Sequence, residues 1–428
     1  MAQRYQTRHA KKSNASKIVV IILVIVLALA ALGAGGMFVY LKFFAQPSID
    51  PPSDNPPTEA VQTIAETVAE TAAPQAPAPT TAPADSKVQE ILAGMSEREK
   101  ICQLFITTPE ALTGIDVATA AGEQTRASLE SYPVGGIIYF EDNLESADQT
   151  REMIRNSQSY SKIPLFIGVD EEGGDVARVA GKLGTTKLNN MYTYRDRGEQ
   201  TAYDNAKTIA TDISGFGFNL DFAPVADVWT NPQNTVIGER AYSGDYAQAS
   251  SLVGSAVKGF QENGVSATLK HFPGHGDTAE DSHEGLATLN KTLEELRAGE
   301  LQPFKAGIDA GADMVMVGHL MVPSIDPDKP ATLSKKVVRT LLRGELGYNG
   351  VVISDSMSMG AITKNYSYDE IVQGVFDADI DMILCPDDLD KYLAAFENAR
   401  ANGKISTRKI DQKVARILTL KLERGLLQ

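Results

Sequence analysis

From residue 87 onward the chain alternates two hydrophobic patterns. Short apolar runs, each bounded by turn residues, read as buried strands. They are Gln103–Thr107, Gly136–Phe140, Pro164–Asp170, Leu220–Asp227, Ser266–His271, Asp313–His319, Gly350–Asp355 and Asp381–Pro386. Between most of them apolar residues recur at helical spacing. That spacing predicts helices over Ala202–Phe216, Tyr246–Asn263, Thr292–Ala310, Lys335–Leu346 and Tyr368–Ala378, with a terminal helix-like run over Ser406–Leu427. Strand followed by helix, repeated about eight times, predicts an α/β fold: a TIM-type (β/α)8 barrel in a single catalytic domain, residues 87–428. A doubly wound open sheet is the alternative. Polar residues favour the barrel, because Asp170, Asp227, Lys270, His271, His319 and Asp355 stand at the C-terminal strand ends, where barrel active sites form. Asp227 also suits a plain helix cap.

The pattern before residue 87 is different. Residues 1–17 carry five Lys and Arg and no acid, and Ile18–Tyr40 then runs without a charge. Such a run is long enough to cross a bilayer core of about 30 Å. We read 1–17 as a basic cytoplasmic tail and 18–42 as a retained transmembrane anchor. A cleaved signal peptide is the rival, with a shorter apolar region of about 7–15 residues. The basic flank places the N-terminus in the cytoplasm and the catalytic domain outside the cell membrane. Residues 43–86, rich in Pro, Ala and Thr, read as a disordered linker with too little apolar surface to fold.

Charge and cysteine content narrow the function. A net charge of −15 argues against a nucleic-acid partner. Cys102 and Cys385 both sit within apolar strings, which predicts two buried thiols rather than a disulfide, and no Cys/His spacing suggests structural zinc.

Candidate chemistry gathers in Lys270-His-Phe-Pro-Gly-His-Gly-Asp-Thr-Ala-Glu-Asp-Ser-His283, which holds three of the five histidines. Pro273, Gly274 and Gly276 prevent a regular helix there. Asp281 two residues before His283 could orient an imidazole and stabilise its charge; equally, His283 could be a solvent-facing loop residue. His271, His275 and His283 as metal ligands form a third reading, disfavoured by the charge of Lys270 and by their spacing. Val351–Met357 is a buried strand ending in Asp355, which is either a helix cap or a reacting carboxylate. A carboxylate and a second proton-transferring group facing one ligand suggest glycosidic bond cleavage.

The string Lys270–Thr278 followed by Asp281-Ser-His283 closely resembles the hallmark of family 3 glycoside hydrolases of the bacterial β-N-acetylglucosaminidase type. So do Gly168-Val-Asp-Glu-Glu-Gly-Gly174, Asn219-Leu-Asp-Phe-Ala-Pro-Val225, Val236-Ile-Gly-Glu-Arg240 and Ile353-Ser-Asp-Ser-Met357, in the family's order. The resemblance implies a retaining enzyme with Asp355 as nucleophile, His283 as general acid/base and Asp281 as its orienting partner. It implies that Asp170, Arg178, Arg240, Lys270 and His271 bind the sugar. His275 would shape the loop, and the glycines of Gly173-Gly174 and Gly274/Gly276 would allow backbone turns. Asp175 departs from the family's usual Arg, which would alter a loop contact or a pocket edge. Many members carry a second α/β domain after the barrel; here the site is expected from the barrel and its loops alone.

The function so implied is an exo-acting β-N-acetylglucosaminidase (β-N-acetylhexosaminidase), removing terminal GlcNAc from peptidoglycan fragments, including muropeptides, or from chitin-like oligosaccharides. No cofactor and no metal are expected, and a monomer is. The rivals are a phosphorylase using the same residues, a glycosidase for another sugar such as β-glucose, and a catalytically inactive wall-binding module.

Overall fold

A computed structural model describes residues 86–279 and 285–427. The expected tail, anchor and linker lie outside the described residues, up to Ser86, which opens the first helix, Ser86–Gly94. Among the described residues no helix is long and apolar enough to cross a membrane.

All eight expected strands form. They are β1 (Phe105–Thr107), β2 (Gly136–Ile138), β3 (Phe166–Val169), β4 (Leu220–Asp221), β5 (Ser266–Phe272), β6 (Met314–Val317), β7 (Val351–Ser356) and β8 (Met382–Leu384). Each pairs in parallel with its sequence neighbours, and β1 closes on β8 through Phe105 opposite Ile383 and Ile106 opposite Leu384. The alternative of an open sheet is thereby overturned. Barrel strands are covered by helices outside and by packed side chains inside, so they read as apolar runs rather than as alternating ones. Phe105 shows the outer packing, with its ring edge-on to Tyr392 and Phe396 at centroid distances of 6.1 and 5.9 Å.

The helices start where side chains can cap them. Ser367 accepts from the Glu370 backbone N–H while Glu370 reaches back to the Ser367 N–H, fixing the start of Tyr368–Ala378. Asp245 caps Tyr246–Gln261 in the simpler way. The expected single helix over Thr292–Ala310 is instead two, Leu293–Ala298 and Leu301–Asp309. Gly299 is a poor helix residue, and Pro303 lacks an N–H, so it is tolerated in a helix's first turn and not in its interior. Both thiols are free and buried, and burial pushes Cys102 up to about 12.

The N-terminal rim of the barrel is structural. Buried Asp381 receives Arg343 Nη2 at 2.6 Å, Arg416 Nε at 2.8 Å and the Val352 N–H at 2.9 Å. Nearby Lys421 is buried without a carboxylate among the described residues. Its Nζ donates to Gln103 Oε1 at 2.9 Å and lies 5.1 Å from the Phe166 ring centre. Burial lowers its pKa from 10.5 to about 7. Between those values the unfolded chain holds a proton that the folded chain has shed, so this group makes stability rise with pH across that window. Lys421→Met is expected to stabilise the protein at pH 7 by a few kcal/mol, since each tenfold change in proton affinity is worth about 1.4 kcal/mol, and to flatten the rise. Urea unfolding of both proteins at pH 7 and 10 measures this. An equal pH slope in both would contradict it.

Candidate active site

The C-terminal ends of β3, β5 and β7 bring most of the expected residues together. Asp170 follows β3 directly, and Glu171–Gly173 then pairs with Val176–Ala177 in a small hairpin. From β5, Lys270 Nζ reaches Asp170 Oδ1 at 2.8 Å and Glu172 Oε1 at 2.6 Å. Arg240 grips the same Glu172 with two nitrogens, at 2.8 and 2.7 Å, and donates to the Val236 carbonyl at 2.7 Å. Asp170, Lys270, Glu172 and Arg240 thus form a continuous chain of alternating charge. Lys270 and Glu172 are its buried middle; Asp170 and Arg240 are its half-buried ends.

Glu172 holds this chain in place. Burial alone would raise its pKa, but Arg240 and Lys270 outweigh that and hold it well below the usual carboxylate range. Its loss would leave buried Lys270 and half-buried Arg240 each short of a partner, a change that costs about 3–5 kcal/mol in comparable buried pairs. Glu172→Gln is therefore expected to lower stability by about that much and to raise KM more than it lowers kcat. Urea unfolding and steady-state kinetics test this; an unchanged KM would contradict it. Arg178 is half-buried at the start of Arg178–Leu183, and its Nε is buried without a protein partner. Glu171 turns away from the chain. It accepts from the Val179 and Ala180 N–H groups at 2.6 and 3.0 Å, and burial lifts it to about 7 against those bonds.

Asp355, in β7, is half-buried. Burial works to raise its pKa, yet the pKa is lowered. The His271 and His319 imidazoles, the Ser356 N–H at 2.7 Å and the Lys270 ammonium together outweigh desolvation. The carboxylate is therefore held ionised, as a nucleophile must be. His319 lies fully buried, its Nε2 donating to the Ser356 carbonyl at 2.9 Å and its Nδ1 2.8 Å from Thr332 Oγ1.

The loop after β5 is tied at its root. Asp227 is not the plain helix cap that its position suggested. Its carboxylate accepts the backbone N–H of His271 at 3.0 Å and of His275 at 2.6 Å, and meets His271 Nδ1 at 2.7 Å. Buried Asn234 donates to the carbonyls of His275 and Thr278 at 2.7 and 3.0 Å. Thr230 Oγ1 donates to Asp277 at 2.7 Å. Gly276 is required because the Val228 carbonyl oxygen would lie 1.9 Å from an added Cβ. His275 is held by Thr278 Oγ1 at 2.7 Å, and burial lowers its pKa, so it stays neutral. Asp281 and His283 lie outside the described residues. On the far side of them, Ala287–Thr288 pairs with Leu320 and Met321.

Asp175 exchanges two bonds with the Asn190 side chain, its N–H donating at 2.9 Å and its Oδ2 accepting at 2.8 Å. Gly174 sits against that same side chain with φ of +62°, where only glycine fits.

The described residues contain no grouping of His, Cys, Asp and Glu able to hold a metal ion. What the barrel mouth does hold is an ionised carboxylate beside a ring of charged donors and acceptors, suited to a neutral, hydroxyl-rich ligand. The family model for the glycosyl hydrolase family 3 N-terminal domain matches residues 96–420. The chain belongs to glycosyl hydrolase family 3. It is 33% identical over 322 residues to β-hexosaminidase A of Pseudoalteromonas piscicida, a match covering 68% of this chain and 54% of that one. The chain therefore spans about half the length of that relative. The β-hexosaminidase LpqI of Mycobacterium tuberculosis is 34% identical, with 77% of this chain and 84% of the relative covered. A solved family 3 β-N-acetylglucosaminidase from Paenibacillus sp. str. FPU-7 superposes with a TM-score of 0.73 at 38% identity, covering 78% of this chain and 63% of the other.

Within this family 3 barrel, Lys270 and Arg240 meet on Glu172, Asp170 joins them through Lys270, and His271 and Lys270 both favour the ionised form of Asp355. Glu172 and Asn234 were not singled out from the sequence, His319 was placed at a C-terminal strand end without a role, and Asp227 was misread as a cap. Glu172 left a signal, as the third consecutive acid in a short run between Val169 and two glycines. Asn234 left none, because a loop asparagine usually faces solvent.

Proposed function

We propose that the protein is an exo-acting, retaining β-N-acetylglucosaminidase that removes terminal β-linked GlcNAc. The observation that carries this reading is Asp355, kept ionised at the barrel mouth next to the Asp170–Lys270–Glu172–Arg240 chain. Asp170, Arg178, Arg240, Lys270 and His271 would hold the sugar hydroxyls. Sites built of buried hydrogen-bonding groups discriminate strongly, because a ligand lacking the matching group leaves them unpaired.

In the first step Asp355 Oδ attacks the anomeric carbon. The bond to the leaving oxygen breaks, and protonated His283 supplies that oxygen's proton. In the second step neutral His283 takes a proton from water. The water oxygen attacks the anomeric carbon and expels Asp355, releasing GlcNAc with its original β-configuration. Asp281 would orient His283 and support its charge. The names of the relatives support hexosaminidase activity; the sequence of residues 1–86 supports a substrate at the cell wall.

Hydrolysis of a chromogenic GlcNAc glycoside by the purified full chain tests the reading, with NMR of the first-formed anomer. β-GlcNAc supports it, and α-GlcNAc contradicts retention. No hydrolysis by folded protein favours a binding module. GlcNAc-1-phosphate in the presence of phosphate favours a phosphorylase. For the anchor, removing residues 1–44 is expected to release the protein from membranes with kcat/KM unchanged. A truncated protein that still sediments with membranes would contradict this.

A further inference from the structure

Asp227 and His271 make a pairing that the proposed chemistry does not use. The Asp227 side chain is fully buried, and its two oxygens meet three nitrogens: His271 N, His275 N and His271 Nδ1. Two of these are backbone N–H groups, which can only donate. An ionised carboxylate can only accept. The third contact, 2.7 Å to Nδ1, is therefore a bond in which the imidazole is the donor, so the proton sits on Nδ1. The assignment follows once Asp227 is ionised; burial would raise its pKa, but its contacts with His271 and His275 lower it.

The ring's other nitrogen, Nε2, lies on the side away from Asp227. The imidazole belongs to the residue beside Lys270, whose Nζ reaches Asp170 and Glu172 at the barrel mouth. A buried carboxylate on Nδ1 fixes the tautomer of an imidazole and leaves Nε2 to face a ligand.

We infer that Asp227 is a positioning residue for catalysis: with His271 it forms a second carboxylate–imidazole dyad, separate from Asp281–His283, which turns Nε2 toward the sugar and Asp355 at the barrel mouth. This rests on the proposed glycosidase reading. Asp227 also ties the loop through the His275 N–H, so a purely structural role needs to be told apart. In Asp227→Asn one oxygen becomes an NH2 group. It cannot accept, so it opposes one of the three donors, and the ring is pushed toward the other tautomer or out of place.

A double-mutant cycle separates the two roles. With the chromogenic GlcNAc glycoside and the full chain, Asp227→Asn is expected to lower kcat about 100-fold, within the range for loss of a positioned proton-transfer group, with KM changed about threefold or less. His271→Ala should cost a similar factor. In the His271→Ala background, Asp227→Asn should cost about threefold or less, since the group it serves is gone. Effects that multiply would show that Asp227 acts through the loop and would overturn the dyad. Should Asp227→Asn fail to fold, histidine ¹⁵N NMR of the wild-type chain decides, with His271→Asn giving the assignment. Nδ1 must carry the proton, and an unprotonated Nδ1 overturns the inference. The NMR result stands even if the wild type hydrolyses no GlcNAc glycoside, so failure of the dyad and failure of the functional reading are distinguishable.

Discussion

Asp355→Asn is expected to lower kcat on GlcNAc glycosides by on the order of 10⁴-fold or more, the scale seen when a covalent nucleophile is removed. The substitution preserves volume, and the Ser356 N–H at 2.7 Å can still donate to the amide oxygen. The fold should therefore survive, with a melting temperature within a few degrees of wild type. Substrate binding should survive too, because the Asp170–Lys270–Glu172–Arg240 chain does not include Asp355. His271, His319 and Lys270, which now stabilise a carboxylate, would face a neutral group, so some weakening of their mutual arrangement is expected. Rate measurements with a chromogenic GlcNAc glycoside, together with binding of GlcNAc by calorimetry, check both halves. A loss of under about 100-fold, too small for a covalent nucleophile, would remove Asp355 from that role.

His283→Ala has the second largest expected effect, and its signature depends on the substrate. General-acid assistance is worth about 10²–10⁴-fold when the leaving group is a sugar hydroxyl, and little when the leaving group is already acidic. The variant is therefore expected to lose about 10³-fold on chitobiose but to form the glycosyl-enzyme at near wild-type rate from a dinitrophenyl glycoside. The second step still needs a base, so glycosyl-enzyme should accumulate with the activated substrate and give a burst. Asp281→Asn should show the same pattern in milder form. Equal losses on good and poor leaving groups would show that His283 is not the acid. Asp355 is held ionised well into the acidic range, so the acid limb of the kcat/KM profile should not be assigned to it.

Much of this was legible in the sequence because a parallel barrel writes itself plainly. Its strands are buried on both faces, so β3, β5 and β7 stand out as apolar runs, and the candidate site's polar groups gather where those runs end in Asp170, Lys270-His271 and Asp355. The helix over Thr292–Ala310 was misjudged because hydrophobic spacing continues across Gly299 while the backbone does not. The site was legible where chemistry and position coincide. It was not legible where a residue acts through a partner distant in sequence. Glu172 is defined by Arg240, 68 residues on, and Asp227 by His271, 44 residues on; neither spacing has meaning until the barrel closes. Asp227 in particular followed an apolar run, as a cap would, and only the folded loop shows what it binds.

The central claim is that Asp355 forms a covalent bond to the anomeric carbon. Its most direct test is mass spectrometry of the full chain trapped with a 5-fluoro GlcNAc glycosyl fluoride, followed by peptide mapping. The account predicts a mass gain of one fluorinated sugar, located on the peptide bearing Asp355 and absent in Asp355→Asn. An adduct on another residue would contradict it, as would active protein that turns over the reagent through the sugar's own acetamido group and never carries an adduct.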